Sequence, residues 1–409
     1  MAATREAVWW RGPWNRGLKF VSRFGWGGTD LDPEHLLARA RKDTGLDDFG
    51  DPEFEEPMRL LIREFEANAN ADLAGRQVFA QMVLGSLKNR LRINQALRDR
   101  PQIAEQRIVA PLFILGLPRT GTTLLQSLLA SLGHLRTPPR WETDLTATPP
   151  ALAKKREVKA QIRFARGQSD FANGLSPGIA LAHAVGAELP EECNPLLMSS
   201  FRALLHTTFF RCPDYHDYVY RTHFLHAYEW HRRHLQILSF GAPAATWSLK
   251  APAHLGSLAE LLRTYPDARV VFTHRDPLEV VPSMCALTLA LRLLISPVQD
   301  KPAIGRELMG NLARLLDAGY AVRDCWPAGT PRFIDVRYTD LVADPARTVR
   351  SILRHFDMPE GPDLDATIAR RVAEDARANR GRHQYSLADF DLGGEEIRAK
   401  FSRAFAALE

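Results

Sequence analysis

Cysteine and long apolar runs are scarce in this sequence. Four cysteines occur among 409 residues, none in a C-x-x-C pair: Cys193, Cys212, Cys285 and Cys325. Such spacing argues against a disulfide framework and a zinc knuckle, and it favours a reducing compartment. The longest apolar stretches, such as residues 108–117, reach about half of the roughly 20 residues that a membrane-spanning helix needs. Basic and aromatic residues interrupt any apolar core near the N-terminus, so we expect no signal peptide and a soluble, cytoplasmic protein.

The charge balance of the chain is close to even. Lysine and arginine total 53, aspartate and glutamate total 48, and the formal net charge is +5. The basic residues are scattered through amphipathic stretches and form no stripe, so nucleic-acid binding is not favoured. Hydrophobic residues make up 45% and charged residues 25%, which is ordinary for a globular protein. A positive cleft for an anionic small molecule fits this composition.

Tryptophan and basic residues are concentrated at the N-terminus. Residues 1–26 contain four tryptophans among arginines and a lysine: Trp9, Trp10, Trp14 and Trp26. This texture fits either peripheral contact with a membrane surface or an arm packed on the body of the protein. Helical periodicity follows from Asp32 to about Arg98, with an aspartate N-cap and a proline at the first helical position. We predict a helical N-terminal extension over residues 1–105, packed on the core.

From residue 106 to residue 409, short apolar runs alternate with helical patterns. The apolar runs cover 108–115, 246–249, 269–273 and 332–336. The helical patterns cover 121–132, 253–265, 277–291 and 345–357. Buried strands that alternate with helices indicate βαβ units, so we predict an α/β fold with a P-loop-like parallel sheet flanked by helices. A mostly helical insertion at about 151–240 interrupts the alternation, and we expect it to cover the ligand cleft.

The segment GLPRTGTT, residues 116–123, follows the first predicted strand and opens a helix. Gly116 and Gly121 allow a tight turn, after which backbone amides and the helix dipole provide an anion site. Threonine hydroxyls and one guanidinium add further donors. The candidate binding residues are Arg119, Thr120, Gly121, Thr122 and Thr123. Each hydrogen bond to a charged oxygen contributes about 1.5–3 kcal/mol, so we expect this loop to hold a phosphate.

The loop lacks the lysine of nucleotide-hydrolysing P-loops. Thr122 stands where the motif G-x-x-x-x-G-K-[ST] places the lysine that contacts the β- and γ-phosphates. No apolar strand ends in an obvious aspartate for magnesium. The loop is therefore poorly suited to ATP hydrolysis. A metal-dependent phosphotransferase stays open as an alternative. A non-catalytic, membrane-associated nucleotide-binding module is a third interpretation.

A second group of polar residues follows the later strands. Lys250 ends one predicted strand, Arg275 ends the next, and Ser283 lies about two turns into the following helix. Residues that leave the carboxyl ends of parallel strands converge on the ligand crevice. Arg275 and Ser283 can hold a second phosphate through charge-assisted hydrogen bonds.

The segments GLPRTGTT, LKAPAHL and HRDPLEVVPS resemble the core motifs of sulfotransferases that use 3′-phosphoadenosine 5′-phosphosulfate (PAPS). The resemblance covers about 108–145 and 246–405, and it is closest to the bacterial, especially actinobacterial, branch. It implies that the first loop binds the 5′-phosphosulfate. Arg275 and Ser283, eight residues apart as in the family, are implied to bind the 3′-phosphate.

The same resemblance implies further features of the site. Tyr338, in VRYTDLVADPARTVRSILRHF, is implied to lie near the adenine, and Arg382, in RGRHQYSLADFDL, is implied to contact the cofactor. The donor has no β/γ-phosphate chain, its product is 3′,5′-adenosine bisphosphate (PAP), and transfer in this family needs no metal. We therefore predict an O-sulfotransferase for a small-molecule hydroxyl acceptor. The aromatic-rich insertion favours a hydrophobic alcohol, phenol or lipid.

Sulfuryl transfer to a hydroxyl needs a base, cations at the leaving oxygen and aligned reactants. Lys250 resembles the catalytic lysine of the family, and Arg119 can share its role. Three candidates for the base stay open: Glu142, His183 and His254. Glu192 lies near His183 in the sequence and can orient its imidazole.

A histidine-rich run covers residues 216–238 and raises the question of a metal. Its candidate ligands are His223, His226, His231 and His234. The spacings can place two of them on one helical face. No cysteine or carboxylate ligand set accompanies them in the sequence, so we predict a structural or substrate-lining aromatic face and no metal site.

Overall fold

A computed structural model describes residues 4–5, 11–22, 29–144, 148–175, 186–222, 224–242, 245–327, 329–378 and 385–408. Among these residues, no helix combines the length and the apolar character needed to cross a membrane. The strands in the described residues are β1 Thr4–Arg5, β2 Leu112–Gly116, β3 Leu135–Arg136, β4 Thr246–Lys250, β5 Arg269–His274, β6 Val298–Gln299 and β7 Phe333–Arg337.

Helices account for most of the remaining described chain. The α-helices are α1 Arg11–Ser22, α2 Pro33–Thr44, α3 Glu55–Asn68, α4 Leu73–Asp99, α5 Thr122–Ala130, α6 Arg140–Asp144, α7 Lys155–Leu175, α8 Asn194–Met198, α9 His206–Phe209, α10 Pro213–Arg221, α11 Leu225–Ser239, α12 Leu258–Thr264, α13 Pro277–Arg292, α14 Lys301–Arg323, α15 Tyr338–Ala343, α16 Pro345–His355, α17 Leu364–Ala378, α18 Gly394–Lys400 and α19 Ser402–Ala406. Short 3₁₀ helices cover Pro52–Phe54, Pro101–Ile103, Pro150–Leu152, Pro252–Ser257 and Ala388–Phe390.

The central sheet of the described residues has five parallel strands in the order β3-β4-β2-β5-β7. The first strand of this sheet in sequence, β2, is therefore in the middle, with β4 on one side and β5 on the other. The chain leaves β2 at the point where strand order changes direction, which is where open α/β sheets bind their ligands. The predicted α/β fold with a parallel sheet flanked by helices is confirmed.

The two faces of the sheet are buried in separate hydrophobic clusters. On β2, Phe113 and Leu115 belong to one cluster, whereas Leu112 and Ile114 belong to the other. Successive side chains of a strand point to opposite faces, so a strand with helices on both sides must be apolar throughout. This explains why the strands read as continuous apolar runs in the sequence.

The N-terminal helices begin and end as their sequence signals indicate. The Asp32 side chain accepts hydrogen bonds from the backbone of Glu34 and His35 and so caps α2. The helix ends at Gly45, which has a φ of +70°. Helices α2 to α4 share one hydrophobic cluster with β2, β4 and β5.

The insertion is mostly helical in the described residues between 151 and 240, with non-helical segments at 186–193 and 199–205. Helix α11 is packed into the same large cluster through side chains such as Tyr228 and Leu235. Other residues of the insertion, between Glu192 and Tyr220, line a cavity beside the carboxyl end of the sheet. The boundary at residue 105 between extension and core stays a prediction.

Candidate active site

Two glycines fix the path of the loop between β2 and α5. Gly116 has a φ of +154°, and a Cβ atom there would lie 2.0 Å from Thr273 Oγ1. Gly121 has a φ of +87°, and a Cβ atom there would lie 2.9 Å from Cδ2 of Tyr338. Both separations are too short for a side chain, so the loop is pressed against β5 on one side and against Tyr338 on the other.

The threonines of this loop have different roles. Thr120 Oγ1 donates to the Leu117 carbonyl at 2.7 Å and lies 2.6 Å from Thr273 Oγ1. Its hydroxyl therefore stabilises the turn, and the backbone amide is what Thr120 can offer to an anion. Thr122 is buried at the start of α5, whereas Thr123 is exposed there.

Side chains from separate segments meet beside the loop. Arg119 Nε donates to Ser283 Oγ at 3.1 Å, and Arg275 Nη1 donates to the Arg119 carbonyl at 2.9 Å. The Arg275 guanidinium lies 4.0 Å from the ring centroid of Tyr338, a cation–π contact. Arg275 Nε also donates to Glu279 at 2.8 Å. The structure thus brings together four residues that the sequence assigned to the donor.

This corner of the molecule favours a negative ligand. Burial lowers the pKa of the Arg119 guanidinium; Tyr385 and Tyr338 oppose this shift, and the neighbouring Arg275 charge adds to it. A desolvated cation beside a second cation is stabilised by an anion. Tyr385 belongs to the C-terminal segment that resembles a cofactor-binding signature, whereas Arg382 lies outside the described residues.

Lys250 connects the loop to a carboxylate. The lysine is the last residue of β4 and is 1% exposed. Its Nζ donates to Thr123 Oγ1 at 3.3 Å and forms an ion pair with Glu192 Oε1. The other carboxylate oxygen of Glu192 accepts from Asn194 Nδ2 at 2.5 Å. A buried ammonium requires such partners, because an isolated buried charge is strongly unfavourable.

Glu142, the carboxylate predicted as a base, lies in a different environment. It is buried on α6 and pairs with Arg136 Nη2 at 3.2 Å. Burial raises the pKa of Glu142, and the Arg136 charge opposes that rise. The side-chain hydrogen bonds of Lys250 go to Thr123 and Glu192.

The histidine candidates for the base separate in the structure. His183 lies outside the described residues. His254 is fully buried in the 3₁₀ helix after β4, and its Nδ1 lies 2.7 Å from the Tyr228 hydroxyl. Burial lowers the pKa of His254 to about 3, so its ring is neutral. His254 is therefore a core residue.

The histidine run contributes several buried side chains to the core. The described members have separate partners: His226 contacts Asp51, His231 contacts Tyr265 and His234 contacts Ser199. His223 lies outside the described residues. In the folded chain, Cys193 offers a ligand atom within 4.8 Å of one on His231 and one on His254. The absence of a metal site stays a prediction.

An apolar cavity of about 160 Å³ adjoins the loop and the Lys250–Glu192 pair. Its lining includes Pro118 of the loop, Glu192, Asn194 and mainly apolar side chains from α13 and α14. Asn194 Oδ1 is buried and has no hydrogen-bond partner among the described residues. A carboxylate and an unpaired amide oxygen in an apolar wall suit a ligand with one hydroxyl on a hydrophobic body.

Glu192 is the site residue that sequence reasoning assigned to a different task. The sequence suggested it only as a partner for His183. The backbone explains its actual place, because the amide of Cys193 donates to the Lys250 carbonyl at 2.8 Å and docks the segment onto the end of β4. The signal available in the sequence was a polar EECN stretch, residues 191–194, within a largely apolar helical region.

Comparison with known proteins gives a consistent result. A family model described as the sulfotransferase family matches residues 111–362, more than half of the chain. The structure resembles the solved sulfotransferase STF1 of Mycobacterium tuberculosis H37Rv, with a TM-score of 0.79 and 29% identity over 92% of this chain and 100% of that chain. It also resembles STF9 of Mycobacterium avium, with a TM-score of 0.78 and 26% identity over 91% and 96% of the two chains.

A curated relative matches over a shorter segment. The omega-hydroxy-beta-dihydromenaquinone-9 sulfotransferase Stf3 of Mycobacterium bovis is 30% identical over 116 residues, and so is its counterpart from Mycobacterium tuberculosis. The match covers 27% of this chain and 28% of the relative. The chain therefore spans little more than a quarter of the length of the curated relatives it matches.

Proposed function

This chain belongs to the sulfotransferase family, and we propose that it transfers a sulfuryl group from PAPS to a hydroxyl of a hydrophobic small molecule. The observation that carries the proposal is the Lys250–Glu192 ion pair. This pair lies where the anion-binding loop meets the apolar cavity. A cation and a base are thus placed between a site for a phosphorylated donor and a site for an apolar acceptor.

The residues beside the loop fit the donor. The loop lacks the lysine that a β/γ-phosphate chain requires, and the donor has no such chain. The Arg119, Arg275 and Ser283 side chains offer charge-assisted hydrogen bonds to a second phosphate. The Tyr338 ring packs against Gly121, which has no side chain; a Cβ atom there would lie 2.9 Å from Cδ2 of the ring. When bound, PAPS supplies the sulfuryl group and a phosphate leaving group.

Lys250 and Glu192 have different roles in this proposal. Lys250 Nζ donates to Thr123 Oγ1 of the loop. From this position it can stabilise negative charge on a departing phosphate oxygen. Glu192 Oε1 is placed to take the proton of an acceptor hydroxyl in the cavity. Asn194 holds the other oxygen of Glu192 and so fixes the orientation of the carboxylate. Glu142 is the alternative base, because its burial and raised pKa also suit that role.

The cavity supports a hydrophobic acceptor. Leucine and methionine side chains such as Met284, Leu291 and Leu312 form much of its wall, and Glu192 and Asn194 are among its polar groups. A related enzyme is named for an omega-hydroxy-beta-dihydromenaquinone-9. An alcohol on an apolar body, a lipid included, is the acceptor class that this wall favours.

An exposed aromatic and basic surface supports peripheral contact with a membrane. On α1 and α7, Trp14 and Phe171 have ring centroids 5.8 Å apart, and Phe20 and Phe164 are exposed nearby in the sequence. Exposed basic residues accompany them on α7: Lys155, Arg156, Lys159, Arg163 and Arg166. Aromatic and basic side chains together bind anionic lipid surfaces, where a lipid acceptor would be found. Trp9, Trp10 and Trp26 lie outside the described residues.

A thermal-shift titration with PAP, ADP and Mg·ATP tests the donor assignment. A ligand at a hundred times its dissociation constant stabilises a fold by about 2.7 kcal/mol, which raises the melting temperature measurably. We expect a shift with PAP and little or none with Mg·ATP. A shift with Mg·ATP alone would replace the proposal with a phosphotransferase, and PAP binding without transfer to any hydroxyl library would replace it with a binding module.

The variant Arg275→Ala sharpens this test. We expect it to weaken PAP binding by at least about tenfold, because one hydrogen bond to a charged group contributes about 1.5–3 kcal/mol. Binding of the analogue without a 3′-phosphate should change much less. Arg59→Ala is the matched control, since Arg59 also pairs with a glutamate four residues away and lies on α3. Equal losses for both nucleotides would contradict the 3′-phosphate assignment.

A further inference from the structure

Three buried side chains meet behind the Lys250–Glu192 pair. Cys193 precedes α8, His231 lies on α11, and His254 lies in the 3₁₀ helix after β4. Each offers a ligand atom within 4.8 Å of those of the other two. All three are 0% exposed. This cluster takes no part in the transfer chemistry proposed above.

The ring nitrogens of the two histidines are used unequally. Nδ1 of His231 lies 2.7 Å from the Tyr265 hydroxyl, and Nδ1 of His254 lies 2.7 Å from the Tyr228 hydroxyl. Nε2 of both rings is buried and has no hydrogen-bond partner among the described residues. A buried polar atom without a partner costs about 1–3 kcal/mol, so two of them in one place indicate a missing ligand.

We propose that Cys193 Sγ, His231 Nε2 and His254 Nε2 bind one soft transition-metal ion, Zn²⁺ or Cu⁺. Thiolate and imidazole are the ligands that these ions prefer, and a filled d shell imposes no fixed geometry. Ligating histidines usually donate their other ring N–H to a fixed acceptor, which the two tyrosine hydroxyls provide here.

The ion has a structural role. It ties Cys193 to His254, which lies four residues after Lys250, and to His231 on α11. Cys193 is the neighbour of Glu192, and its amide already donates to the Lys250 carbonyl. Metal binding therefore holds the carboxylate segment against the end of β4. Since ligands of a structural ion come together only in the folded chain, its binding free energy stabilises the fold.

Elemental analysis of the full chain tests this site. The protein is produced without a polyhistidine tag in zinc- and copper-supplemented medium, and its metal content is measured by mass spectrometry. We expect about one equivalent per chain, and a loss of at least about tenfold in Cys193→Ser and His231→Gln. Cys212→Ser and His234→Gln are matched controls, because they change a buried cysteine and a buried histidine of α11 outside the cluster. Both should retain the metal.

Cobalt substitution gives a readout that a packed cluster without a metal would not produce. Co²⁺ bound through Cys193 should give a thiolate-to-cobalt charge-transfer band in the wild type, and Cys193→Ser should lack it. If that variant does not fold, metal content and the cobalt band of the wild type decide the matter. Wild-type protein with neither zinc nor copper and without the band would overturn the proposal and assign the space to a buried water, which needs two to four polar partners.

Discussion

Replacing Glu192 with glutamine separates the two candidate bases. The change preserves shape but removes the proton acceptor. Two contacts of the carboxylate are with donors, Lys250 Nζ at Oε1 and Asn194 Nδ2 at Oε2. A glutamine must therefore place its NH₂ group against one of these donors. We expect both the base and its orientation to be lost.

The expected loss in transfer rate is large. Removing a positioned base lowers a rate by about 10²–10⁴-fold, which at about 1.36 kcal/mol per factor of ten corresponds to about 2.7–5.4 kcal/mol of activation free energy. Breaking a buried ion pair destabilises a fold by about 3–5 kcal/mol. The loss here should be smaller, because the glutamate side chain is 20% exposed while the lysine is 1% exposed.

Glu142→Gln is the matched control, since Glu142 is also a glutamate paired with a basic side chain. The assay is single-turnover transfer of radiolabelled sulfuryl to a set of hydrophobic alcohols, with PAP affinity measured beside it. We expect Glu192→Gln to lose transfer while retaining PAP affinity, and Glu142→Gln to transfer at nearly the wild-type rate. The reverse pattern would refute the reasoning and make Glu142 the base.

The pH dependence of the free energy of unfolding reports the raised pKa of Glu142. Burial raises its folded-state pKa above the usual 4.5, so the folded protein holds this proton more tightly than the unfolded chain does. The associated stability is fully present below pH 4.5 and is lost as pH rises through the raised pKa. Glu142→Gln should flatten the stability profile in that window.

Two further predictions concern the loop and the surface. Gly121→Ala should weaken PAP binding more than Gly133→Ala does. Both glycines have positive φ, but of the two only Gly121 has a neighbour, Tyr338, that a Cβ atom would contact. Equal effects on PAP binding would show that backbone strain alone matters. Phe164→Ser should reduce sedimentation of the protein with vesicles of anionic phospholipid, whereas Val342→Ser, which changes an exposed apolar residue on α15, should not. Unchanged sedimentation of Phe164→Ser would exclude α7 from membrane contact.

The local chemistry of the chain made much of this fold predictable. The observed strand β2 and helix α5 match the predicted apolar run and helical pattern, and so do the units after β4 and β5. Strands buried on both faces must be apolar throughout, and helices must repeat every 3.6 residues, so both leave a signal within ten or fifteen residues. The meeting of Arg119 with Ser283 also follows from sequence, because the carboxyl ends of parallel strands share one edge.

The placement of single polar side chains was decided by contacts between distant segments. Glu192 reaches Lys250 across 58 residues because the backbone at Cys193 is hydrogen-bonded to the end of β4. The orientation of the Thr120 hydroxyl depends on its hydrogen bond with Thr273, which lies 153 residues away in the sequence. Neither contact leaves a periodic trace in the sequence.

The amino-acid sequence by itself determined the α/β alternation, the glycine-bearing loop without a lysine and the family to which the chain belongs. Only the tertiary structure decided which carboxylate faces Lys250 and which histidine faces a cysteine. The physical reason is that periodic burial and turn geometry act between near neighbours in the chain. An ion pair or a ligand cluster depends on the exact packing of elements that the chain brings together only on folding.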